Sequence, residues 1–135
     1  MALVVVLTGV LFVLVNPTQQ LQKGRNQARR AHLQIILGAV GQNIADNRGT
    51  FNCATGALPT STKKLAIGGG NYDIAGCLVP AYLPNLPFDP FAAGAHYASN
   101  ADYDTGYYII QSATTSRVTA TAPSAELGDA ITYTR

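Results

Sequence analysis

Residues able to do chemistry are few in this chain. Asn100-Ala-Asp102-Tyr-Asp104-Thr-Gly106 alternates oxygen donors and ends in glycine, as calcium-binding loops do. The glycine comes one residue late for an EF-hand, and Gln111 stands where a bidentate Glu is needed. Asn100, Asp102 and Asp104 are therefore a weak metal candidate, with a polar turn before a strand as the plainer reading. His32 and His96 lie at no ligand spacing and have no visible catalytic partner, and no Gly-x-Ser-x-Gly elbow occurs. The expectation is a protein without catalytic residues, metal or other cofactor. Cys53 and Cys77 are the only cysteines. An even count around a loop of this length suits one disulfide in an oxidising compartment, with two independent buried thiols as the alternative.

The elements that must position these groups divide the chain near residue 48. Met1 to Val15 carries no charge. As a helix at about 1.5 Å per residue it reaches roughly 22 Å, short of a hydrocarbon core near 30 Å. A signal-peptide core has this look, but no basic segment precedes it, and a helical pattern follows it instead of a cleavage site. Apolar side chains recur at Leu21, Ala28, Leu33, Ile36, Leu37, Val40 and Ile44, and the last five keep one helix face. Asp46-Asn47-Arg48-Gly49 supplies the stop, with Gly suited to a left-handed C-terminal cap. Residues 1 to about 46 thus predict one long helix, apolar first and amphipathic later, kinked or locally melted by Pro17 and weakened at Gly9.

Charge is sparse, at 12% of residues, against roughly 25% in an average soluble protein. A surface so poor in charge calls for lipid, another subunit or a covered face. Lys23, Arg25, Arg29, Arg30 and Arg48 face a single acid, Asp46, within residues 1–48. Following a lipid-like stretch, this cluster reads as a membrane-proximal collar or a set of subunit contacts. No aromatic platform or reading motif accompanies it to indicate nucleic acid.

In residues 49–135, the stretch 50–80 reads as a loop-rich connection with a flexible turn at Gly68-Gly69-Gly70. Pro80, Pro84, Pro87 and Pro90 punctuate a rigid surface segment. Strand signals follow at Gly106–Ser112, Ser116–Thr121 and Ala130–Thr134, and Tyr97 can begin a fourth. The fold class expected is α+β: the long N-terminal helix packed on a small antiparallel head sheet. Domains are residues 1–48, an assembly or transmembrane helix, and residues 49–135, a globular head. The tyrosines suit core and sheet packing, with an exposed subset available for contacts. Ser and Thr leave room for O-glycosylation.

The stretch from Ala2 through Gly9, Pro17 and the Gln/Arg-rich run to Leu33 resembles the N-terminal helix of type IV pilins and type II secretion pseudopilins. Gly9 and Pro17 keep that family's interval, and Tyr82–Tyr97 resembles its Leu-Pro-x-Asp-Pro block before the sheet. The resemblance implies a pilin-like fold and a structural subunit, the major pilin of a type IV pilus. Such a subunit is single-pass in the cytoplasmic membrane before assembly machinery extracts it. It then becomes a homo-oligomer in an extracellular helical filament used for adhesion, motility or DNA uptake. The assembly helix would present Leu3, Val6, Gly9, Val10, Phe12, Leu14, Pro17 and Leu21. A pseudopilin or minor pilin is the alternative, and a monomeric membrane-anchored binding protein a third class. The family's N-terminal Glu has no counterpart, because no acid precedes Asp46. The resemblance therefore implies about five residues and a leader ahead of Met1, with assembly without that contact as the alternative. The positive-inside rule would put the basic cluster and the head in the cytoplasm. The disulfide and the resemblance put the head outside.

Overall fold

The computed structural model describes residues 16–135, an α+β arrangement of one long helix on an antiparallel sheet. Helix α1 runs Pro17–Asp46. Asn16, extended at φ −85° and ψ 101°, caps it by accepting the Gln19 N–H at 3.1 Å. The residue before a proline is pushed out of helical geometry, while Pro itself suits the first helical position. Pro17 therefore starts α1, and the extended Asn16 before it is a local break of the kind expected at this proline. Leu3, Val6, Gly9, Val10, Phe12 and Leu14 lie outside the described residues. Among the described residues no helix is long and apolar enough to cross a membrane.

The helix ends where the sequence indicates, but by a different residue. Gly49 N–H bonds the Ile44 carbonyl at 2.8 Å, closing a Schellman turn in which Arg48 takes the left-handed position at φ 60°. Gly49, at φ 88°, follows it.

Five strands make the sheet: β1 Lys63–Ala66, β2 His96–Ser99, β3 Asp102–Gln111, β4 Val118–Ala122 and β5 Ile131–Thr134. A short helix, α2 Ala75–Leu78, lies between β1 and β2. The sheet order is β1-β3-β4-β5, all antiparallel. Asp104 pairs with Ala66 on one side and His96 on the other, whereas Tyr108 pairs with Lys64 and Thr121. One edge of β3 thus serves β2 first and β4 later, with the change of partner around Gly106. Two expectations need correcting here: the stretch read as a loop-rich connection contains β1 and α2, and β3 begins four residues before the Gly106 signal. The fourth strand expected at Tyr97 is present as β2, from His96.

The core lies between α1 and the sheet. Leu33, Ile36, Leu37 and Val40 are buried against Tyr107, Ile109, Val118, Ala120, Ala122 and Ile131. At roughly 1.5–3 kcal/mol for each large apolar side chain, this seam dominates the stability of the head. The face expected of α1 is confirmed from Leu33 to Ile44, but Leu21 is 64% exposed, and the first turns of α1 are not covered by the head.

Candidate functional site

The buried stripe of α1 does not begin with an apolar residue. Asn26 and Arg29 are both fully buried, in phase with Leu33, Ile36 and Val40. Arg29 Nε and Nη2 donate to the two oxygens of Asp89 at 2.7 and 2.9 Å, in the bidentate fork that suits guanidinium and carboxylate. Its Nη1 donates to Glu126 at 2.8 Å and to Asn26 at 2.9 Å. Asn26 reciprocates with the β4–β5 loop. Its amide donates to the Glu126 carbonyl at 2.8 Å and accepts from the Glu126 N–H at 3.0 Å. Arg25 grips Glu126 with two bonds, at 2.6 and 2.7 Å, and lies 4.3 Å over the Phe91 ring. Arg30 reaches Asp129 at 2.8 Å near the surface.

Among the described residues every buried side-chain polar atom has a partner, so this clasp is complete. Burial alone would push the Asp89 carboxyl up. The Arg29 guanidinium and the amides of Phe91 and Ala92 outweigh that, and it sits below the usual carboxylate range. Arg25 first, then Arg29, hold Glu126 down to about 2. Three members of the basic cluster read as a collar or contact surface are thus engaged inside the chain, and Arg29 is unavailable to lipid or to a neighbour.

Asp89 is placed by the close approach of its loop to β3. Its N–H bonds the Thr105 carbonyl at 2.8 Å, and the next residue, Gly106, has φ 74°. A Cβ on Gly106 would stand 3.0 Å from Asp89 Cβ and 3.3 Å from Ala92 Cβ. Only glycine supplies both the left-handed backbone and the room. Gly106→Ala is expected to cost more than the roughly 1–2 kcal/mol of left-handed strain, because the Asp89 loop must move as well. Gly128→Ala is the comparison, since Gly128 has φ 69° and open space where its Cβ would go. Equal losses in thermal unfolding would refute the packing argument.

Cys53 and Cys77 are disulfide-bonded, with Cα atoms 5.1 Å apart, and tie the chain after α1 to α2. Tyr103 steadies the same helix. Its hydroxyl accepts from Ile74 N and Ala75 N and donates to Asp73 at 2.7 Å.

The metal candidate is not assembled. Asn100 donates to the Val79 carbonyl and accepts from the Tyr97 hydroxyl. Asp102 meets His96 at 3.0 Å, and Asp104 meets Lys64 at 2.6 Å and the Gly106 N–H. Among the described residues no group of three His, Cys, Asp or Glu side chains could hold a metal ion. Both histidines, expected to be without partners, have them. His96 is raised above its ordinary value by the Asp102 bond. His32 is lowered by burial, with its Nδ1 2.7 Å from the Tyr107 hydroxyl.

Reading the sequence missed Asn26, Asp89 and Glu126 as partners of Arg29. The one signal available was phase, because Arg29 stands four residues before Leu33 on the stripe that the apolar residues define. No protein-family model, curated protein or solved structure matches the chain.

Proposed function

We propose that this chain is the major subunit of a type IV pilin-like filament, held by its apolar N-terminal segment in the cytoplasmic membrane before assembly. The observation that carries the reading is the way α1 is covered. From Asn26 onward it is locked into the head, whereas Pro17–Gly24 stand largely clear, with Leu21 exposed. In sequence, that exposed portion directly follows residues 1–15, a stretch without a single charge that calls for lipid or neighbouring copies. Identical helices stacked head-to-tail cover such a surface without closing on themselves, and a non-closing repeat is a filament. The disulfide fits a head on the oxidising side of the membrane.

Electron microscopy of sheared surface material, from cells with and without the gene, tests this. Thin filaments should vanish with the gene and return with the unaltered chain, but not with Val10→Asp or Leu14→Asp. Both variants should keep the head folded with its disulfide intact. Filaments that persist without the gene would make it a minor pilin or pseudopilin. Detergent extraction of monomers alone, with no filaments in the host, would make it a tethered binding protein.

A further inference from the structure

A cleft of 400 Å³ opens between the middle of α1 and the Pro-rich loop, lined by His32, Asn85, Pro87, Phe88, Pro90 and Tyr97 among others. Its volume lies in the range of small-ligand sites, roughly 300–1,000 Å³. No Asp, Glu, Lys or Arg lines it, so it offers nothing to an ion. What it offers is ring surface with a few polar atoms. Phe88 remains 39% exposed at its side, an aromatic that folding leaves only partly covered. The exposed Asn85 side chain lines the cleft, as does His32, whose Nδ1 is taken by the Tyr107 hydroxyl and whose Nε2 makes no hydrogen bond among the described residues.

Two of the rings are fixed in advance. Tyr97 is held by its hydroxyl on Asn100 at 2.6 Å and packs at 6.2 Å on Tyr103. His32 stands edge-on to Tyr107 at 5.9 Å, and burial pushes its imidazole below the ordinary value. Pro87 and Pro90 stiffen the opposite wall. Side chains already in place lose little freedom when a ligand arrives.

We propose that this cleft binds a neutral saccharide, one sugar ring stacking on Phe88 and Tyr97 while its hydroxyls meet the Asn85 amide and His32 Nε2. A pyranose is uncharged, presents an apolar C–H face to an aromatic ring, and carries hydroxyls that both donate and accept. An alkyl chain would leave Asn85 and His32 unmatched, and an anion would find no cation. The site is formed by α1 and the Pro-rich loop of a single chain and does not depend on the filament reading.

The test is ligand-observed NMR on the full chain. Its probes are the methyl glycosides of glucose, galactose, mannose and N-acetylglucosamine, with their short oligomers, at millimolar concentration. At least one neutral glycoside should show saturable binding. Phe88→Ala should weaken it about tenfold, and Asn85→Ala should weaken it as well. Lys63→Ala, on the far side of β3, should leave it unchanged. Circular dichroism of each variant guards against misfolding. Absence of saturable binding to every neutral probe would overturn the proposal, as would binding that survives both substitutions. Preference for a sulfated sugar or a Pro-rich peptide would do the same.

Discussion

Arg29→Met should destabilise the head by about 3–5 kcal/mol, because it strands the Asp89 carboxylate in the interior without its counter-charge. The Arg29 and Asp89 side chains are 1% and 0% exposed, so water cannot take over the lost bonds. The pair itself need not be a large net stabiliser: two ions withdrawn from water give back in desolvation much of what they gain in attraction. Removing one partner is what costs. Arg30→Met makes the contrast, since its bond to Asp129 is between side chains 33% and 42% exposed, and its loss should cost under about 1 kcal/mol. Urea unfolding of the two variants decides the matter, and equal midpoints would remove the clasp from any account of stability. The acid limb gives a second reading. Asp89 and Glu126 are both held below their ordinary values, so their contribution is complete only above about pH 5, beyond the ordinary carboxylate range. It is lost as pH falls through the folded values, which for Glu126 is about 2.

Reduction of Cys53–Cys77, or its replacement by Ser at both positions, is expected to cost about 3 kcal/mol. The bridge closes a loop with a sequence separation of 24, and the open chain regains that loop's freedom when it unfolds. The segment it constrains contains β1 and ends inside α2. The urea midpoint should fall on reduction with Arg29 and the sheet otherwise intact. A midpoint unmoved by reductant would mean that β1 and the Tyr103 hydroxyl already fix this segment.

The parts of the fold visible in the sequence are those governed by local pattern. Leu33, Ile36, Leu37 and Val40 repeat at the helical period and are buried together. Strands β4 and β5 carry the β-branched alternation that a half-buried sheet requires. What stayed hidden depends on distant partners. Lys63-Lys64-Leu65-Ala66 has no strand signature of its own. It is a strand because β3 offers it a ladder, Leu65 a buried position and Asp104 a counter-charge for Lys64. Asp102–Thr105 looks like a turn until β1 and β2 flank it. Arg29 looks like a surface cation because the acids that draw it inside are 60 and 97 residues away. Of the candidate site, the disulfide was readable from cysteine count, whereas the clasp was not. The assembly residues from Leu3 to Leu14 lie outside the described residues.

The position of the clasp along α1 has a mechanical consequence. Arg25, Asn26, Arg29 and Arg30 occupy successive turns at the end of the docked region nearest Pro17, and all bond to loops of the head. A pull on the chain upstream of Pro17 arrives at these anchors before it reaches Leu33. Tension along the helix axis loads several of them side by side, so they must yield nearly together. A sideways pull would open them one at a time, starting with Arg25. The head therefore resists axial traction far better than peeling, with its dry core shielded behind a row of charged fasteners.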